Sequence, residues 1–219
     1  MILDQMPTLK INEIFHSIQG ESSYAGAPTV FIRTSGCHLR CNYCDTTYAY
    51  QEGQQLELAQ ILETVKKFGS PYICVTGGEP LLQKQVLSLM TTLCDEGFFV
   101  SLETSGSLSC ADVDSRVKLV IDVKTPDSGS AETFELENLS LKNRDIEWKF
   151  VLCSEKDLEW SENFCRQHVI FEKFMVLYSP SYRKIDPQWL AEKILQKKSP
   201  ARLHLQLHKY IWSSETRGV

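Results

Sequence analysis

Three cysteines fall within eight residues as Cys37-x3-Cys41-x2-Cys44. Thiolates this close together serve as ligands, and three in one short loop can hold three corners of a [4Fe–4S] cube while its fourth iron stays open to a small molecule. The competing reading is a structural zinc ion, which needs a fourth ligand and finds locally only His38, set awkwardly between the cysteines. The other five, Cys74, Cys94, Cys110, Cys153 and Cys165, are scattered and read as small buried apolar residues. A second candidate is Thr76-Gly77-Gly78-Glu79-Pro80. Paired glycines at a strand end let backbone approach a ligand closely, whereas a plain turn before a helix explains neither the second glycine nor Glu79. The planar fork of Arg33 suits a carboxylate, with a structural salt bridge to Glu21 or Glu103 as the alternative. Asp122 and Lys124, two apart on a strand, point to one side and form either part of a binding site or a neutralising surface pair.

The elements that must position these residues alternate. Short β-branched or aromatic runs at 29–34, 72–76, 98–103, 119–123, 147–152 and 174–178 read as buried strands. Helical spacing recurs between and after them at 56–68, 83–96, 111–117, 155–168 and 186–197, the last announced by Asp186-Pro187 as N-cap and first-turn proline. This order predicts an α/β protein: a partial (β/α)6 barrel with an open parallel sheet, right-handed crossovers and its site at the carboxyl ends of the strands. Residues 127–145 are a polar, acidic break with no role legible in composition. The final stretch, 202–212, alternates and is expected to add a strand or close the barrel mouth.

With 219 residues, 42% of them hydrophobic and 23% charged, the chain is sized for one domain with a real core. Its formal net charge of −5 argues against a general nucleic-acid or anionic-membrane binder. No apolar run approaches the ~18 residues of a membrane span, and the start has acid and proline where a secretory signal needs basic then apolar residues. A cytoplasmic protein is expected, with thiols kept reduced.

The cysteine triplet and the Gly-Gly-Glu-Pro turn together resemble the radical S-adenosylmethionine superfamily. A longer set of motifs narrows the resemblance to the 7-carboxy-7-deazaguanine synthases. These are Phe15-His16-Ser17-Ile18-Gln19-Gly20-Glu21, Gly26-Ala27-Pro28, Phe31-Ile32-Arg33 and Cys44-Asp45-Thr46, followed by Glu103-Thr104-Ser105-Gly106, Asp122-Val123-Lys124-Thr125-Pro126, Lys149-Phe150-Val151, Ser179-Pro180 and Gln206-Leu207-His208-Lys209. Ser22 departs from the pattern, standing where the family often has a second glycine.

The resemblance implies a single radical SAM domain over 1–219, its N- and C-terminal extensions closing the site. It implies conversion of 6-carboxy-5,6,7,8-tetrahydropterin to 7-carboxy-7-deazaguanine with loss of ammonia, in queuosine and deazapurine biosynthesis. An electron from the cluster cleaves S-adenosylmethionine, the resulting radical takes a hydrogen atom from the pterin, and the cofactor is regenerated. The family pattern puts the cluster on Cys37, Cys41 and Cys44. It puts the pterin on Ile18, Gln19, Gly20, Arg33 and Thr76, and S-adenosylmethionine on Gly78, Glu79, Ser105, Asp122, Val123, Lys124, Ser179 and Pro180. Mg²⁺ is placed at Thr46, with Asp45 as the competing ligand and a simple turn cap as the alternative role of Thr46. No roles are assigned to Lys149, His208 or Lys209. Flavodoxin or ferredoxin as electron donor and a homodimer complete the implied partners, with no nucleic acid and no membrane. Two other readings share some of these motifs: a glycyl-radical enzyme activating protein and a non-enzymatic metal-binding module.

Overall fold

In the computed structural model, which describes residues 7–213 and 216–219, β1 (Thr8–Ile18) runs antiparallel to β2 (Pro28–Thr34). β3 (Gln54–Glu57) pairs with the outer side of β1 and leads into α1 (Leu58–Phe68). From β2 the sheet grows in parallel through β4 (Tyr72–Gly77), β5 (Phe99–Thr104), β6 (Lys118–Asp122), β7 (Ile146–Leu152) and β8 (Met175–Pro180), and it ends in β9 (Arg202–Leu203). The order is β3-β1-β2-β4-β5-β6-β7-β8-β9. The remaining helices are α2 (Gln85–Asp95), α3 (Glu155–Gln167), α4 (Pro187–Lys197) and the single turn α5 (His208–Ile211).

Six of the parallel strands, β2 and β4 to β8, are those the apolar runs predict, and their sequence explains their depth. All seven residues of β7 are buried, because covering both faces of a parallel strand removes any alternation. The helices bury a single stripe: Val86, Leu89, Met90 and Leu93 of α2 recur at three and four residues and pack into one core with Ile73, Leu102, Leu119 and Trp148 of the sheet. α1 stops at Gly69, whose φ of 70° suits a residue without a Cβ. α4 starts as expected, Asp186 accepting from the Gln188 N–H at 2.7 Å with Pro187 next in line.

Two expectations are corrected. The antiparallel edge of β1 and β3 is an addition to the six-unit pattern. No helix forms over 111–117, because Asp and Ser side chains capture the backbone donors: Ala111 N–H is bound by Ser109 Oγ at 3.3 Å and Arg116 N–H by Asp114 Oδ1 at 3.0 Å. The last stretch does what was expected of it in both ways: Arg202–Leu203 adds a short strand, and the chain beyond it turns inward to the cavity. Residues 127–145 form short 3-10 turns at Pro126–Ser128, Ala131–Thr133 and Leu136–Ser140.

The sheet is open, with β3 at one end and β9 at the other. Because β1 is antiparallel, it delivers residues 19–27 to the starting end of β7, where Ser23 N–H is bound by Glu147 Oε2 at 2.9 Å. The chain after β9 meets the same loop: Leu207 N–H donates to Gly20 O at 3.0 Å and Gln206 Nε2 to Glu21 Oε1 at 2.7 Å. Among the described residues no helix is long and apolar enough to cross a membrane.

Candidate active site

The carboxyl ends of the parallel strands surround one cavity of about 780 Å³. The loop after β2 brings Cys37, Cys41 and Cys44 to its wall as free, half-buried thiols. Burial, then the nearby Glu79 and the other two cysteines, push the Cys37 thiol up. The loop is held from outside by Arg40 Nη1, which donates to the carbonyls of Cys37 at 2.9 Å and Leu39 at 2.6 Å. It is held from below by the 127–145 segment, where Asn42 N–H donates to Ser128 O at 2.9 Å and Cys41 Sγ lies 3.7 Å from Ser130 Oγ. That segment's placement supplies the role its composition hid.

The Gly-Gly-Glu-Pro turn backs the cysteine loop. Glu79 N–H donates to Gly36 O at 2.8 Å, and a Cβ on Gly78 would fall 2.8 Å from Cys37 Cβ and against the Gly36 carbonyl. Gly78 is therefore a contact surface for the cysteine loop as well as part of the cavity wall. Glu79 itself is fully buried and accepts from Ser105 N–H and Thr104 Oγ1, each at 2.8 Å, and from Ser105 Oγ at 2.5 Å.

On the β2 side stands Arg33, its side chain 15% exposed, with Nε on Glu13 Oε1 at 2.7 Å. The alternative of a salt bridge to Glu21 or Glu103 is corrected: the partner is Glu13, opposite Arg33 in the β1–β2 register and also bound by Tyr48 OH at 3.1 Å. Ile18, Gln19, Gly20 and Thr76 share the wall. Gln19 Nε2 and Thr76 Oγ1 both reach Glu103, at 3.5 and 3.2 Å, and burial with the charge of Glu21 raises the Glu103 carboxyl above its usual range. Ser22 sits at φ 64°, the left-handed region that favours glycine.

Opposite Arg33 runs a chain of buried charges. Lys149 pairs with Glu21 and lies 3.3 Å from Asp122 Oδ2, which Lys124 also approaches at 3.1 Å. The Asp122–Lys124 pair is thus real but inside the cavity, not on the surface. Burial works against charge on Lys149, yet Glu21, Asp122 and Glu103 hold it protonated well above its ordinary range. Burial likewise pushes Glu21 upward, and Lys149, His204, His208 and Gln206 more than offset it, leaving the carboxyl far below its ordinary value. Asp122 Oδ1 is buried with no hydrogen-bond partner.

Residues after β9 complete the wall. Lys209 pairs with Asp45 at 2.6 Å, and His208 packs so closely on Gly20 that a Cβ there would lie 3.2 Å from the ring Cγ. Thr46 precedes the 3-10 turn Thr47–Tyr50 but makes no side-chain cap; its hydroxyl lies 3.8 Å from Cys44 Sγ and faces the cavity.

Of the positions expected to bind ligands, Gly78, Ser105, Asp122 and Lys124 reach the wall with the five pterin positions, the three cysteines and Thr46. Glu79, Val123, Ser179 and Pro180 stand behind it. Strand alternation turns Val123 into the core while Asp122 and Lys124 face inward. Glu21, Glu103, Lys149 and Gln206, none of them an expected ligand position, meet at the wall only through long-range pairing, and Glu13 serves the site from behind Arg33. Among the scattered cysteines, Cys74, Cys110 and Cys165 are buried, with Cys110 pushed up to about 12 by burial, while Cys94 and Cys153 are only half-buried.

The profile of the Radical SAM superfamily matches residues 31–130. A 7-carboxy-7-deazaguanine synthase of Chlorobaculum tepidum is 44% identical over 214 residues, 96% of this chain and 97% of that protein. The chain belongs to the 7-carboxy-7-deazaguanine synthases. A second member, from Koribacter versatilis, is 39% identical over 96% of this chain and all of its own length. The crystal structure of QueE from Escherichia coli has the same fold, with a TM-score of 0.77 at 20% identity over 90% of this chain and 93% of that one. As a radical SAM enzyme of this family the chain uses a [4Fe–4S] cluster and S-adenosylmethionine. The residues fit them: three free thiols share one wall with an orphaned carboxylate oxygen and buried ammonium groups.

Proposed function

We propose that this 7-carboxy-7-deazaguanine synthase converts 6-carboxy-5,6,7,8-tetrahydropterin to 7-carboxy-7-deazaguanine with release of ammonia, and that both the pterin and S-adenosylmethionine occupy the 780 Å³ cavity. The observation that carries this reading is the sharing of one wall by the three-thiol loop and Arg33, whose Nε is taken by Glu13. The guanidinium is thereby oriented, and its two terminal nitrogens serve the substrate carboxylate as a fork. When bound, a cluster on Cys37, Cys41 and Cys44 supplies the electron that cleaves S-adenosylmethionine.

The chain's own residues do the positioning, which can account for much of a rate enhancement. Gln19 and Thr76 orient Glu103 at the pterin, and Ile18 and Gly20 complete that subsite. For S-adenosylmethionine, Asp122 Oδ1 is an acceptor for ribose hydroxyls, Lys124 a partner for a carboxylate, and Gly78 and Ser105 the polar backbone and hydroxyl contacts. Glu79 acts through Ser105 by holding it, and Val123, Ser179 and Pro180 act through their main chains. Residues 19–27 and 206–209 exclude water from below and from the side.

The Thr46 hydroxyl would be the chain's ligand for a Mg²⁺ ion, a hard cation suited to oxygen donors that would balance the charge of a substrate carboxylate. Two features support it: the hydroxyl caps nothing, and the competing Asp45 is engaged by Lys209. The reading extends to one domain over 1–219, a homodimer in the cytoplasm and a flavodoxin or ferredoxin as electron donor.

The test is anaerobic reconstitution with iron and sulfide, followed by incubation with the pterin, S-adenosylmethionine and dithionite. A deazapurine chromophore is expected. A protein with full cluster content and bound S-adenosylmethionine that forms none would refute the assignment.

A further inference from the structure

Lys149 has no part in the site so far beyond its charge, yet it joins the two halves of the cavity. It lies on β7, opposite Asp122 in the β6 register, and its ammonium meets Glu21 from the β1–β2 loop. Glu21 adjoins Gln19 and Gly20 and is gripped from its other side by Gln206 Nε2 at 2.7 Å. Asp122 spends Oδ2 on Lys149 and Lys124, and its Oδ1 is buried and unpartnered.

A buried ion pair is weak evidence for stability, since apolar residues of similar volume often do as well or better. Here the pair instead links a loop of the substrate half to a carboxylate of the cofactor half. Its Coulomb attraction acts at short range inside protein, where screening by salt is slight. Movement of Glu21 therefore changes the force on Lys149, and through it the aim of Asp122 Oδ1.

We propose that Lys149 is a positioning residue that couples the pterin and S-adenosylmethionine subsites, binding Glu21 and Asp122 at once so that each ligand's loop is set by the other's presence. The inference rests on the reading of the cavity as holding both ligands. Coupling of this kind is reciprocal: the pterin tightens S-adenosylmethionine binding by the same factor as the reverse.

Calorimetric titration of reconstituted holoenzyme with S-adenosylmethionine, with and without the pterin, measures that factor. In the wild type the pterin is expected to tighten binding by about 5-fold or more, the lower end for coupled sites. In K149Q the factor falls below about 2-fold with iron content unchanged, and E21Q, which opens the same junction from the loop side, behaves alike. Under dithionite the ratio of free 5′-deoxyadenosine to deazapurine rises in both variants, because the cofactor is cleaved beside a misplaced substrate. A purely structural role would lower the melting temperature and leave both factor and ratio unmoved.

Wild-type coupling in K149Q, or no coupling in the wild type, overturns the role of Lys149. If K149Q does not fold, E21Q carries the same decision. A wild-type holoenzyme that makes no deazapurine at all overturns the reading of the site, and this inference with it.

Discussion

Substituting Gly78 by alanine adds one methyl group where the turn after β4 backs the cysteine loop. The new Cβ would stand 2.7 Å from the Gly36 carbonyl carbon and 2.8 Å from Cys37 Cβ. Carbons at optimal separation lie at ~3.5–4.0 Å, so the two backbones must part by roughly 1 Å. The contact is with backbone and with the Cβ of Cys37, neither of which can swing aside as the far end of a flexible side chain can. Overpacking of this kind costs ~1–3 kcal/mol, and losing the Glu79 N–H to Gly36 O bond adds ~1 kcal/mol. A shift of that size displaces Cys37 from the other two thiols, and the expected outcome for Gly78→Ala is a folded protein that reconstitutes with less iron and labile sulfide per chain than wild type. The assay is metal and sulfide analysis after anaerobic reconstitution, with circular dichroism as the check on folding. A Gly78→Ala protein with wild-type cluster content and wild-type S-adenosylmethionine affinity would refute the argument that this glycine spaces the loop.

Arg33→Ala is expected to weaken pterin binding by ~2–5 kcal/mol, or roughly 30-fold to several thousand-fold, because a substrate carboxylate is left without its buried partner. Arg33→Lys rescues little, as one ammonium cannot serve Glu13 and a carboxylate fork together; unchanged affinity in Arg33→Ala would end the assignment. For Glu21, whose carboxyl is held below its ordinary 4.5 in the fold, the stabilisation is present above that value and is lost as pH falls below it. The stability gap between wild type and Glu21→Gln, measured by denaturant titration, should therefore be full at pH 7 and shrink steadily below about pH 4.5; a gap independent of pH would show that the charge is not what counts. Thr46→Val should abolish the response of activity to Mg²⁺ with iron content and S-adenosylmethionine binding intact, while Thr46→Ser keeps most of it. Cluster loss in Thr46→Val would make the hydroxyl structural.

What could be read from the sequence is what lies close together along it. The three clustered thiols sit within one loop, and the Gly-Gly-Glu-Pro turn directly follows a strand whose apolar run is unmistakable, so the meeting of both at one cavity was legible. The place of Arg33 on the cavity wall was legible, but its anchor was not: Glu13 becomes its neighbour only through the β1–β2 register, and β1 lay outside the strand pattern. The alternation of Leu9 and Ile11, both buried, was the signal available there. β3, with the sequence QQLE, offered none. Lys149 and Glu21 are 128 residues apart, and only the folded sheet brings them together. Residues 111–117 misled for a local reason, since helical spacing of apolar residues says nothing of Asp and Ser side chains that outbid the helix for its donors.

The open sheet sets how ligands come and go. Among the described residues no strand ladder joins the β1–β2 loop to the chain after β9; the two meet through His204 on Ser22, Leu207 on Gly20 and Gln206 on Glu21, and Lys209 adds a pair with Asp45. Releasing these contacts breaks no pairing of the parallel strands. The latch is thus separate from the sheet but not from the site: Gln206 holds one oxygen of Glu21 and Lys149 the other, so opening is felt at Asp122 while the strands keep their pairing, a hinge on side chains and not on the barrel wall.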